Sequence, residues 1–98
     1  MKTITINALE HDYPGDADWY EYVSLYRSEY LDENALLLAK AFGDRLDESL
    51  IIYGKRGLSE GLWWIERSVP ALDGLRPLDC LGSRVLIKRL RSALMRMP

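Results

Sequence analysis

Apolar positions along the chain recur mostly at helical spacing. The exception is residues 2–7, where Thr and Ile alternate in a period-2 pattern that suits a short strand. The sequence offers no second strand, so this segment is expected either at the edge of a dimer or as a loose terminus. His11 to Gly15 reads as a turn punctuated by Pro14-Gly15. A helix is then predicted from near Asp18, with Asp18 and Glu21 spaced as a capping pair. Trp19, Tyr22, Val23, Tyr26 and Tyr30 fall on one face of it. Such an aromatic stripe is expected to pack, in the core or against a second copy, rather than to hold a ligand.

Further helices follow by the same reasoning. Asp32 is a good N-cap for a helix over 33–42, which buries Ala35, Leu38, Ala39 and Phe42, with Gly43 just past its end. A third is predicted over 46–53, with the stripe Leu46, Leu50 and Tyr53. Gly54-Lys55-Arg56-Gly57 reads as a turn after it. Ser59 is placed to cap the next helix, with Leu58 and Trp63 spaced as a hydrophobic staple. That helix should end near Ser68, because Pro70 disfavours helical geometry at Val69. Pro77 suits the first position of a short helix closed by Gly82. Ser83 caps the last helix, 84–95, with the apolar stripe Leu86, Leu90, Ala93, Leu94 and Met97. Arg84, Lys88, Arg89, Arg91 and Arg96 cover the rest of it. The pattern predicts a single all-α domain over 1–98: a small bundle of five or six short helices, with or without the N-terminal strand.

Composition refines this picture in two places. A chain of 98 residues buries only about 60–65% of its unfolded surface, so the core is modest. The net charge of −2 conceals an asymmetry. Residues 1–50 carry 11 acidic and 4 basic side chains, for −7; residues 51–98 carry 4 acidic and 9 basic, for +5. Either the basic half binds an anionic partner, or the two halves attract each other across the fold. The longest apolar runs, such as 35–39, are far shorter than a membrane span of roughly 18 residues. One cysteine, Cys80, forms no internal disulfide, so a cytoplasmic location is expected.

Catalytic chemistry is sparse. Catalysis needs a positioned acid–base or nucleophile set, and the chain has one His and one Cys. His11 lies in an acidic turn, and Cys80 sits between Leu78 and Leu81 as a small core residue. No Cys/His spacing suits zinc, and Gly54-Lys55-Arg56-Gly57 lacks the spacing of a phosphate-binding loop. Asp18, Asp32, Glu33, Asp47, Glu48 and Glu60 lie at helix starts, where capping and the helix dipole account for them. The reading is a binding protein, not an enzyme, with no cofactor and no metal.

The run from Leu58 to Asp79 points to the kind of binding. Trp64-Ile65 ends a helix, Pro70-Ala71-Leu72-Asp73-Gly74 supplies a link and turn, and Pro77-Leu78 opens a short helix before the arginine-rich last one. Tyr53-Gly54 precedes them. In this order the segment resembles the toxin-binding domain of Xre/MbcA/ParS-type antitoxins, whose corresponding elements are a Trp-Leu pair, an Ala-Leu-Gly-Gly turn and a Pro-Leu step. The resemblance covers the last 46 residues or so, and the helices over 33–53 fit the domain's first helices, so that 31–98 carry it. Residues 1–30 are then an acidic segment with the aromatic helix. Asp73 replaces the first turn glycine, and Asp tolerates left-handed geometry better than most residues. The resemblance implies a cognate protein toxin, of the RES type that degrades NAD, masked at its active site, and it is compatible with a homodimer. An arginine-rich terminus suits a pocket shaped for an anionic dinucleotide. The partner-binding residues expected on this reading are Trp63, Asp73, Gly74, Arg76, Arg84, Lys88, Arg91 and Arg96. Trp63 and Trp64 point about 100° apart on a helix, so either one of them is an exposed anchor or both are wedged between helices. The family's N-terminal helix-turn-helix has no room before residue 33, so DNA binding is not expected by that route. The alternative is a small nucleic-acid-binding or regulatory protein that uses the basic last helix.

Overall fold

A computed structural model of the protein describes residues 8–98. The Thr/Ile segment expected as a strand lies outside the described residues. Within them the chain is all-α. The helices are α1 (Ala8–His11), α2 (Asp16–Tyr30), α3 (Glu33–Ala41), α4 (Leu46–Trp64) and α5 (Arg84–Arg96), with 3₁₀ turns at Pro70–Leu72 and Pro77–Cys80. No helix among the described residues is long and apolar enough to cross a membrane.

Local chemistry explains most of the boundaries. The Asp32 carboxylate accepts the backbone N–H groups of Asn34 and Ala35 at 2.9 and 3.1 Å, satisfying donors that a helix start leaves open. Ser83 accepts from Leu86 N–H in the same way at α5. Helix α2 starts two residues before the predicted Asp18, because Gly15 at φ 110° ends the preceding turn and its carbonyl takes the Trp19 N–H. Residues 8–11, of which the sequence pattern assigns only His11, as the start of a turn, form the short helix α1.

The span α4 is two helices that meet at Gly57, which leaves helical geometry altogether (φ 79°, ψ 176°), so the predicted break after the 46–53 helix is present. Its place differs: Gly54 to Arg56 stay helical, and the second helix resumes directly after Gly57, at Leu58 rather than at a Ser59 cap. The helix stops at Trp64, short of Ser68, because the backbone beyond it is drawn into other bonds. The Ile65 carbonyl accepts Leu78 N–H at 3.1 Å, and Val69 N–H donates to the Leu75 carbonyl at 3.0 Å.

The core follows from how these helices meet. Trp19 and Val23 of α2, Leu38 and Phe42 of the α3 region, Leu50 to Ile52 of α4, Leu72, Cys80, and Leu90 and Leu94 of α5 are all buried in one cluster. The predicted aromatic stripe of α2 packs within the chain. Tyr22, Tyr26, Tyr30 and Tyr53 form a ladder with successive ring centroids 5.2, 5.6 and 6.1 Å apart. Gly54 makes room for it. A Cβ there would lie 2.5 Å from Tyr26 Cδ2 and 2.9 Å from Tyr30 Cδ2. Replacing a helix-interior glycine by alanine ordinarily stabilises by about 0.5–1 kcal/mol, but overpacking costs about 1–3 kcal/mol, and at this contact the overpacking wins. We expect Gly54→Ala to lower the unfolding free energy in urea by about 1–2 kcal/mol. A stabilised variant would mean that the tyrosine rings move aside freely.

Candidate binding surfaces

The last helix carries the densest cluster of expected binding residues, and the fold divides it. Leu90 and Leu94 face the core, with Leu86, Ala93 and Met97 packed against it, as their spacing predicts. The basic residues do not all face solvent. Arg89 is only 3% exposed and Arg91 only 8%. The Arg89 guanidinium donates to both carboxylate oxygens of Glu10 at 2.8 Å, and its Nη1 lies 3.4 Å from the Asp73 carboxylate. Arg91 donates through Nε to Glu48 at 2.9 Å and through Nη1 to Tyr13 and Asp16 at 3.1 and 3.2 Å. Arg96, at the exposed end, lies 3.5 Å from Asp12. The acidic residues of the N-terminal segment thus lie along α5, and the two oppositely charged halves attract each other within the fold. Of the expected partner-binding residues, Arg91 is therefore buried and engaged within the fold by Glu48, Tyr13 and Asp16. A guanidinium removed from water needs a carboxylate beside it, and residues 10–16 together with Glu48 supply several. Only Arg84 and Lys88 remain exposed and without an ion pair.

Burial alone would lower the pKa of Arg91, but the hydrogen bonds to Glu48 and Tyr13 outweigh it and raise the pKa, so the side chain stays charged. Glu48 holds two guanidiniums at once. Arg45 donates to its two oxygens through Nε and Nη2, both at 3.2 Å, and shares Oε2 with Arg91. Helix-start chemistry, the sequence-based account of Glu48, does not describe a carboxylate that is 2% exposed and engaged in this way. Glu10 and Arg45 were equally invisible as members of such a network.

The turn after α4 is closely tied. Asp73 is left-handed (φ 57°), a geometry that Asp tolerates better than most residues, and Gly74 follows at φ 81°. Gly74 N–H donates to the Val69 carbonyl at 3.0 Å, and the Ser68 hydroxyl donates to the Gly74 carbonyl. Arg76 is exposed but occupied. Its guanidinium donates to Asp79 at 2.9 and 3.1 Å, while its backbone N–H reaches the same carboxylate. These bonds hold the Asp79 carboxyl below the usual carboxylate range. Pro77 opens the short helical turn as predicted. Cys80, fully buried, donates its thiol to the Arg76 carbonyl at 3.6 Å, and burial pushes that thiol up to about 11. His11 is exposed and pairs with Asp12, so the two residues do not meet.

The tryptophan pair splits. Trp64 is buried against the core, while Trp63 is 57% exposed with the Arg67 guanidinium stacked 4.1 Å from its ring centroid. Leu62 beside it is also exposed. The expected site residues therefore fall into three places. Trp63 stands on the outer face of α4. Asp73, Gly74 and Arg76 lie in the turn, linked to α5 through Arg89. Arg84 and Lys88 line the open side of α5. No three His, Cys, Asp or Glu side chains among the described residues are grouped to hold a metal ion. Compared with known proteins, the chain matches no family model, no curated protein and no solved structure.

Proposed function

We propose that the chain is a non-enzymatic protein-binding module that masks the active site of a cognate protein toxin, of the RES type that the 58–79 segment suggests. On this reading it works in the cytoplasm as a homodimer. The observation that carries the proposal is Trp63. Exposing a tryptophan leaves a large apolar surface in water, and aromatic anchors of this kind dominate protein interfaces. The stacked Arg67 keeps the indole oriented, and the rigid turn at 73–76 holds a second, polar contact region. The alternative nucleic-acid reading is the weaker, since Arg89, Arg91 and Arg96 are already matched by carboxylates and only two cations of α5 are unpaired.

Co-expression with the product of the adjacent gene tests the proposal. The neighbour is expected to be toxic alone, harmless with this chain, and to co-purify with it. Trp63→Ala is expected to weaken the complex by about 30-fold or more, the loss of about 2 kcal/mol typical of an aromatic anchor. The thermal transition should be nearly unchanged because the residue is exposed. A neighbour that is not toxic, or that does not co-purify, overturns the reading.

A further inference from the structure

A second surface, separate from Trp63 and independent of the toxin reading, is built around the arginines that Glu48 orients. A cavity of about 390 Å³ opens between the start of α2, the residue preceding α4 and the start of α5. Tyr20, Arg45, Arg84 and Arg91 line it, with Leu81 and Ile87 as apolar wall. We propose that this cavity binds a phosphoryl group, as free phosphate or as a phosphate monoester.

Four observations lead there. First, the guanidiniums are fixed in place. Buried Glu48 takes Arg45 Nε and Nη2 and Arg91 Nε, which sets both planes without the cost of ordering them when a ligand arrives. Second, donors are left over. Arg91 Nη2 and Arg45 Nη1 have no acceptor among the described residues and remain accessible to solvent, so both are free to meet a ligand. Arg84 brings a whole unpaired guanidinium. Third, the charge has the required sign. Three guanidiniums face two carboxylates, Glu48 and the rim residue Asp16, and the positive end of the α5 dipole adds to the excess. Asp44 and Asp47 line the adjoining cavity, and Asp47 is held by Arg27. Fourth, the free fork of Arg84 together with the single remaining Nη groups of Arg45 and Arg91, all lining one cavity, suits an anion with several equivalent oxygens better than a single carboxylate. The volume lies in the range of small-ligand pockets, and the half-exposed Tyr20 ring at the lip offers a stacking face for an aromatic group attached to the phosphate.

The test is an amide-resonance titration of the ¹⁵N-labelled full chain with sodium phosphate and, separately, with adenosine 5′-monophosphate, each against sodium chloride at matched ionic strength. Both are expected to give saturable shifts at Tyr20, Arg84 and Val85. Arg84→Ala removes an exposed side chain with no structural partner, and it is expected to weaken both ligands by about tenfold or more, the share of a charge-assisted bond. Tighter binding of the nucleotide, abolished by Tyr20→Leu while phosphate binding persists, identifies the ligand as a monoester with a stacked ring. Equal affinities identify free phosphate. Shifts no larger than those from chloride, or undiminished binding by the Arg84 variant, overturn the proposal.

Discussion

Glu48→Gln is expected to lower the unfolding free energy by about 3–5 kcal/mol, a large fraction of the whole stability of a domain this size. The reason lies in what it leaves behind. Glu48 is the shared acceptor of Arg45 and Arg91, and its side chain is 2% exposed. The neutral amide offers one acceptor oxygen where two were in use, and its NH₂ group confronts guanidinium donors. Arg91 retains Tyr13 and Asp16, but Asp16 is largely in solvent and cannot replace a buried charge. Arg45 is one-third exposed and turns outward at little cost, so most of the loss falls on Arg91. Two further variants separate these contributions. Arg91→Met alone strands Glu48 with Arg45, while Glu48→Gln combined with Arg91→Met removes the buried charges together. The double variant is expected to be less damaged than the sum of the single ones, because breaking a buried pair costs more than replacing it with apolar groups. Urea denaturation of the four proteins measures this, and additive losses would mean that the two side chains do not share an energetic contact.

That network also marks where sequence reasoning stopped. Features with a local signature were legible: the Trp19 to Tyr30 stripe at helical period, the Asp32 and Ser83 caps, the left-handed Asp73, and the all-α class that these add up to. Each is set by residues within a few positions of one another. Glu10 and Arg89 are 79 positions apart, and Glu48 and Arg91 are 43 apart. No spacing rule connects such residues, and a periodicity argument assigns every charged side chain to the solvent face. The charge asymmetry between the halves was the only trace of these pairs, and it indicates attraction without naming partners. The place of the break within α4 was hidden for a similar reason. Gly54 and Gly57 look alike as helix breakers, but Gly54 has the Tyr26 and Tyr30 rings where a Cβ would be, and only Gly57 bends the chain. Of the candidate surfaces, Trp63 was legible only as one of two adjacent tryptophans. Which one faces out depends on how α4 rotates against α3, where Leu38 rests on Gly61.

Trp19 shows how the same network bears on the core. Its ring is fully buried at the start of α2, with the Arg91 guanidinium 5.0 Å from the ring centroid. Trp19→Ala is expected to cost about 3–5 kcal/mol, from lost burial and from the cavity left between α2 and its neighbours. Trp19→Phe is expected to cost far less, about 1 kcal/mol, although it too removes volume. The difference between the two is the ring that phenylalanine keeps; what makes the phenylalanine cost small is loss of the indole N–H, which is buried with no hydrogen-bond partner among the described residues. An unsatisfied buried donor carries a desolvation penalty of about 1–3 kcal/mol, and phenylalanine has no such donor while keeping a π-face toward Arg91. Relief of the one penalty offsets much of the lost packing. Urea denaturation of the two variants beside the parent checks this ordering. A loss for Trp19→Phe well above about 1 kcal/mol relative to the parent would show that the indole N–H is satisfied in solution, most simply by a water reaching it past Arg91, and the start of α2 would then be wetter than its burial suggests.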